Sequence, residues 1–133
     1  MNTPFIYPVR VYWEDTDAGG VVYYANYLKF MERARSEWLR SLGFEQHALR
    51  DTHGVVFVVR RVEIDYLAPA RLDDLLTLTT CLATATRTCL TVAQEIAADN
   101  PLTRARVRLV CVDPVRFKPV KIPAPLLEKL PPS

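Results

Sequence analysis

Tyr24-Ala-Asn-Tyr-Leu-Lys-Phe-Met-Glu-Arg-Ala-Arg-Ser-Glu-Trp-Leu-Arg-Ser-Leu-Gly43 is the stretch on which the fold turns. Tyr24, Tyr27, Met31, Ala34, Trp38 and Leu42 recur at steps of three and four, with Lys29, Glu32, Arg33, Glu37 and Arg40 supplying most of the polar positions between them. That periodicity specifies an amphipathic helix of about five turns. Arg40 suits its last turn and Gly43 its C′ position, so the helix is expected to end there.

No other part of the chain carries a helix of this length. Upstream, Tyr7 to Glu14 is β-branched and aromatic with partial alternation, a first strand whose Pro8 fits an edge or a strand start. Between strand and helix lies Asp15-Thr-Asp-Ala-Gly-Gly20, a turn composition that packs two carboxylates and two glycines together. Downstream, a short helix is expected over Glu45 to Asp51, with Gly54 as its stop. A long extended run follows from Val55 to Tyr66, closed by Ala68-Pro-Ala70. Leu76, Leu78 and Leu82 mark a third strand, and Leu90, Val92 and Ile96 a fourth, with Ala85-Thr-Arg87 as the turn between them. After the Asn100-Pro101 turn, Ala105, Val107, Leu109 and Cys111 alternate with Arg104, Arg106 and Arg108 to give one apolar and one basic face. The Pro-rich end is expected to hold a brief helix around Leu126 to Leu130 and a frayed tail.

Strand, long helix and then four strands do not alternate as a parallel α/β sheet requires. The pattern predicts an α+β fold, a curved antiparallel sheet wrapped around one long helix, with residues 1–133 forming one domain. Such a sheet has an open edge, and pairing two copies protects it, so at least a dimer is expected.

The formal charge of +2 is too small to argue for nucleic acid. The N-terminus lacks a basic segment followed by an apolar run, and no apolar stretch is long enough to span a bilayer, so a cytoplasmic protein without membrane insertion is expected. Cys81, Cys89 and Cys111 are odd in number and embedded in strand-like segments, which reads as reduced core thiols. With only His47 and His53, both expected on exposed surface, and no HExxH or CxxC motif, no metal site is expected.

The chemistry concentrates where the carboxylate loop meets the helix. A helix N-terminus offers unpaired N–H groups and partial positive charge, able to stabilise an oxyanion, and Asp17 lies close enough in sequence to serve the same place. An ionised carboxylate attacks an activated acyl carbon or deprotonates a water. From spacing alone the alternative stays open that Asp15 and Asp17 do no more than form the turn and cap the helix.

Val9-Arg-Val-Tyr-Trp-Glu-Asp-Thr-Asp-Ala-Gly-Gly-Val-Val-Tyr-Tyr-Ala-Asn-Tyr-Leu-Lys-Phe-Met-Glu-Arg-Ala-Arg35 resembles the signature of the 4-hydroxybenzoyl-CoA thioesterase family, and within it the acyl-CoA thioesterases associated with the bacterial Tol-Pal system. The resemblance continues through Phe57-Val-Val-Arg-Arg61, Tyr66-Leu-Ala-Pro-Ala-Arg-Leu-Asp-Asp74 and Val110-Cys-Val-Asp-Pro114. It implies the hotdog fold, homodimers that assemble to homotetramers, and hydrolysis of an acyl-CoA thioester with no cofactor beyond the CoA of the substrate. The catalytic carboxylate of the family falls on Asp17, and the position offering a backbone N–H to the thioester carbonyl falls on Tyr24. Tol-Pal-associated members commonly carry His where this chain has Tyr24, which rules out any role needing an imidazole there. Arg87 and Thr88 resemble a position used for the nucleotide end of CoA. Arg60, Arg61, Arg104, Arg106, Arg108, Arg116, Lys118 and Lys121 are further cationic candidates, with the Arg104-Arg106-Arg108 stripe also readable as a solvated face or as intersubunit ion pairs. An acyl-carrier protein is the further partner the resemblance allows. A non-catalytic scaffold that binds acyl-CoA or acyl-carrier protein is the alternative to the hydrolase.

Overall fold

The computed structural model describes residues 3–131. Five strands, β1 (Phe5–Arg10), β2 (Val56–Tyr66), β3 (Leu75–Ala85), β4 (Cys89–Ala97) and β5 (Pro101–Val112), form one antiparallel sheet in the order β1-β3-β4-β5-β2. The helices are α1 (Asn26–Ser41), α2 (Gln46–His53) and α3 (Ala124–Lys129). Among the described residues no helix is long and apolar enough to cross a membrane.

One face of the sheet packs on α1. Strand alternation turns Val9, Leu76, Leu78 and Ile96 towards Tyr27, Phe30, Met31 and Ala34, and a second cluster joins Trp38 and Leu39 to Leu82, Leu90, Val92, Val107 and Leu109. Each fully buried side chain of this size contributes about 1.5–3 kcal/mol relative to exposure. Register shifts at Val59/Arg61, Leu82/Thr84 and Ile96/Ala97 bend the strands, which lets the sheet wrap the helix. The opposite face carries Glu63, Asp65, Glu95, Arg104, Arg106 and Arg108. Its ion pairs include Arg61–Glu63 at 2.8 Å and Arg104–Glu95 at 3.3 Å, so the arginine stripe is a charged sheet face.

The core holds one polar pin. Arg35 is 8% exposed, and its Nη1 donates to Gln94 Oε1 at 3.1 Å. Gln94 Nε2 in turn donates to the Met31 carbonyl at 3.1 Å and to Thr80 Oγ1 at 2.9 Å, joining α1 to β4 and β3. Burial holds the Arg35 guanidinium below the usual arginine range, partly offset by Glu32.

The expected elements are present with shifted ends. The first strand stops at Arg10 rather than Glu14, because Trp13–Asp15 coils into a 3₁₀ turn whose Asp15 carboxylate accepts the Tyr12 N–H. The long helix begins at Asn26, two residues after Tyr24. The second helix runs to His53 and stops against Gly54, and His47 and His53 are both exposed on it. The C-terminal helix starts at Ala124, with Pro125 in its first turn. The expected frayed tail includes Pro132 and Ser133, which lie outside the described residues. All three cysteines are free thiols, and burial pushes Cys111 up to about 11.

Candidate active site

Asp15-Thr-Asp-Ala-Gly-Gly20 folds into a tight hairpin on the start of α1. The Asp17 N–H donates to the Val21 carbonyl at 2.9 Å, the Gly20 N–H donates to the Asp17 carbonyl at 3.1 Å, and Thr16 bridges Val22. Gly20 sits at φ +77°, a left-handed turn position that favours glycine. A Cβ at Gly19 would lie 3.2 Å from Asp17 Oδ1, a tight contact to which the carboxylate would have to yield. That oxygen accepts the Gly19 N–H at 2.8 Å, while Oδ2 makes no hydrogen bond among the described residues. The turn therefore orients an exposed carboxylate and leaves one of its oxygens unused.

Asp15 organises the loop and does not aim at the site. Its carboxylate closes the 3₁₀ turn, and its carbonyl accepts both the Tyr23 N–H at 3.1 Å and Asn26 Nδ2 at 2.8 Å. These bonds tie the carboxylate loop to the first turn of α1. Neither Asp15 nor Asp17 caps the helix by a side-chain bond: the N-cap is Ala25, and it has no side-chain cap. The N–H groups of Tyr24 and Ala25 have no hydrogen-bond acceptor among the described residues, so two donors stand free just before the helix.

Tyr24 is 61% exposed, so it does not join the buried stripe of the helix whose spacing it fits. Its ring lies against Tyr23 at 4.9 Å and edge-on to Tyr66 at 6.3 Å between centroids, and the Tyr66 hydroxyl donates to the Tyr24 carbonyl at 3.3 Å. Burial, then the neighbouring Tyr24 and Tyr27 hydroxyls, push the Tyr66 phenol up, keeping it a donor. Tyr27 lies beneath, its hydroxyl accepting the Ala70 N–H at 3.0 Å. Tyr66, which braces the Tyr24 carbonyl, was not singled out from the sequence. It stands 42 residues from Tyr24, and only the register of β2 brings the two together.

Arg87 and Thr88 lie at the other end of the sheet. Their backbone is fixed, since the Arg87 carbonyl accepts the Ile122 N–H at 2.8 Å and the Thr88 carbonyl accepts the Cys111 N–H at 2.7 Å. The exposed Arg87 side chain shares a shallow groove with Lys121, Ile122, Pro123 and Leu127. The 11 residues of β3 separate this hairpin from the Asp74 end that holds the carboxylate loop, on the order of 30 Å at roughly 3.3 Å per residue. One protomer thus does not bring Asp17 and Arg87 together.

The chain is 51% identical over 126 residues, 92% of its length and 93% of the relative's, to the acyl-CoA thioester hydrolase YbgC of Escherichia coli O6:H1 (strain CFT073). It superposes on a probable thioesterase from Bartonella henselae with a TM-score of 0.87 and 37% identity, covering 91% of this chain and all of that one. A 4-hydroxybenzoyl CoA thioesterase mutant complexed with 4-hydroxybenzoyl CoA superposes with a TM-score of 0.90 at 20% identity, covering 96% of this chain and 99% of that one. At that identity the likeness is one of hotdog fold alone, so the 4-hydroxybenzoyl-CoA thioesterase family expected from the sequence gives way to the broader superfamily. The sequence profile of the thioesterase-like superfamily matches residues 11–130, and the chain belongs to that superfamily.

Proposed function

We propose that the protein hydrolyses acyl-CoA thioesters, with Asp17 as the catalytic carboxylate and the N–H groups of Tyr24 and Ala25 as oxyanion donors. The observation that carries the activity is the 51% identity over nearly the whole length to an acyl-CoA thioester hydrolase. The roles of Asp17 and of the N–H donors rest on their geometry. The carboxylate is oriented by one oxygen and free at the other, on a loop bonded to the helix start where two N–H donors stand unpaired.

The reaction asks little more of the site. The thioester carbonyl oxygen takes up negative charge as the carbon becomes tetrahedral, and preorganised N–H donors stabilise it, typically by about 3 kcal/mol each. Asp17 either takes a proton from the attacking water or adds to the carbonyl carbon itself, forming an anhydride that water then opens. In both routes the C–S bond breaks, the thiolate of CoA leaves and the acid is released. Single turnover in heavy-oxygen water separates the routes, since only the anhydride route leaves label in the Asp17 carboxylate when water attacks that carbonyl.

The substrate's nucleotide end is assigned to Arg87 and Thr88, supplied by another copy of the chain. A CoA held at Asp17 reaches the same protomer's Arg87 only if stretched straight along the whole of β3. A dimer through β2 fits the edge chemistry. This strand has one neighbour, β5, and leaves Val59, Val62 and Tyr66 exposed. Antiparallel pairing of two β2 strands about Val62 sets Arg61 of each opposite Glu63 of the other, a complementary register. Further assembly to a tetramer, use of acyl-carrier protein as thioester donor, and a Tol-Pal association belong to the same proposal, the last resting on resemblance of the loop–helix segment.

The test is thiol release from a panel of acyl-CoAs, from short aliphatic to hydroxybenzoyl, by wild type and Asp17→Asn. Turnover by the wild type and a loss of about a hundredfold or more in the variant support the assignment. Equal cleavage by both proteins removes Asp17 from the mechanism, and no cleavage of any acyl-CoA returns the protein to a binding role.

A further inference from the structure

Beyond β5 the chain makes a turn that the thioesterase reading does not use. Val115-Arg-Phe-Lys118 projects from the end of the sheet with Val115 87% and Phe117 65% exposed, and Arg116 and Lys118 exposed beside them. From Pro114 through Lys121 stand three cations, Arg116, Lys118 and Lys121, and no carboxylate.

The turn is rigidly built for a segment that buries so little. Asp113 holds it three times: its Oδ1 accepts the Val115 N–H at 3.0 Å, its carbonyl accepts the Phe117 N–H at 2.7 Å, and its own N–H donates to the Lys118 carbonyl at 3.0 Å. Pro119 bridges back to Val112, closing the base. Phe117 takes φ +56°, a left-handed conformation that a bulky side chain adopts only when its surroundings impose it. The backbone is thus held in a costly conformation that leaves a phenyl ring in water.

The surroundings match the tip. The end of β5 lies beside the start of β4, so the turn shares one end of the molecule with Arg87, which borders the same groove as Lys121 and Leu127. Among the described residues none of Arg87, Arg116, Lys118 and Lys121 lies within ion-pair distance of a carboxylate. Asp113, the acid nearest in sequence, has one carboxylate oxygen committed to the turn backbone.

We propose that the Val115–Lys118 turn docks this end of the protein onto the surface of an anionic phospholipid bilayer, with Val115 and Phe117 entering the headgroup region and Arg116, Lys118 and Lys121 meeting the lipid phosphates. A protruding apolar tip needs a partner that yields around it, and a bilayer interface does so, whereas a folded protein would need a matching groove. Aromatic side chains favour that interface, and basic residues next to it are attracted by anionic headgroups. The surface would hold the protein where acyl chains are handled without inserting any helix.

The test is co-sedimentation of the full chain with phosphatidylglycerol/phosphatidylcholine vesicles and with pure phosphatidylcholine vesicles. The wild type should pellet with the anionic vesicles, less as salt rises, and not with the zwitterionic ones. Arg116→Glu with Lys118→Glu should abolish binding, and Val115→Ser with Phe117→Ser should weaken it roughly tenfold. The circular dichroism spectrum should be unchanged in both, and thiol release from soluble acyl-CoA should be unchanged in the Val115→Ser, Phe117→Ser variant, which shows that the variants fold. Absence of wild-type binding overturns the proposal. So does loss on charge reversal with none on removing Val115 and Phe117, which would mean unspecific attraction. A raised KM for acyl-CoA with vesicle binding intact would assign the turn to the substrate instead, and capture of a soluble acidic protein in place of vesicles would make it a protein contact.

Discussion

The two ends of the sheet are fastened equally well and left with opposite remainders. At the end where β3 begins, every backbone bond of the Asp15–Gly20 hairpin is used to aim groups that stay unpaired: one oxygen of Asp17 and the N–H groups of Tyr24 and Ala25. At the end where β3 stops, the hairpin and the Asp113 turn are bonded through their backbones, and what remains outward is charge, on Arg87, Arg116, Lys118 and Lys121, beside the exposed Val115 and Phe117. Chemistry needs a few donors and acceptors held at fixed positions, whereas recognition of an anionic group needs cations that can follow it. Under the proposed roles of Asp17 and Arg87, the difference amounts to separating turnover from capture by the length of a strand.

That separation can be broken in stages. The largest effect belongs between the ends. Gln94→Leu strands the buried Arg35 guanidinium without its acceptor and should cost about 3 kcal/mol of stability, a fall in Tm of roughly 10 °C. Both kcat and KM at low temperature should stay near wild type if the two ends are independent; calorimetry and thiol-release assays read both. Asp17→Asn comes next, with kcat reduced about a hundredfold, roughly 2.7 kcal/mol, and KM changed little. Arg87→Glu should do the reverse, raising KM for acyl-CoA by about tenfold, roughly 1.4 kcal/mol, at constant kcat, with a flatter dependence of KM on ionic strength. If Arg87→Glu lowers kcat instead, the division between the ends fails. The smallest change is Gly19→Ala, whose Cβ would meet Asp17 Oδ1 at 3.2 Å. Turning the carboxylate should cost kcat several-fold, about 1 kcal/mol, while thermal stability moves less than that.

The fold was legible because its patterns are local. The three- and four-residue steps after Tyr24 gave the helix, and the alternation through Leu76–Leu82, Leu90–Ile96 and Ala105–Cys111 gave strands with the expected apolar face. Errors fell where a side chain outvoted propensity. Tyr12, Trp13 and Glu14 read as strand, but the Asp15 carboxylate captures the Tyr12 N–H and coils them. Tyr24 fits the helical spacing, yet the Tyr23 and Asp15 carbonyls take up the donors of Asn26, and the helix proper begins there. At the candidate site, the turn composition put two carboxylates before the helix and the resemblance chose Asp17 between them, but no spacing could show how close Gly19 lies to its carboxylate or that Tyr66 braces the Tyr24 carbonyl. Nor could it show that Arg87 stands a strand's length away. Those are consequences of register, which is a property of pairs of segments.

The Arg35–Gln94 pin has a consequence for how the helix finds its seat. Apolar ridges fit a sheet at several neighbouring depths with similar energy, so grease alone would let a cylinder slip by a turn or rotate by one row. Arg35, Gln94, Thr80 and the Met31 carbonyl have hydrogen-bonding groups that match at a single depth and a single rotation. They act as an index mark, converting a family of near-equivalent packings into one.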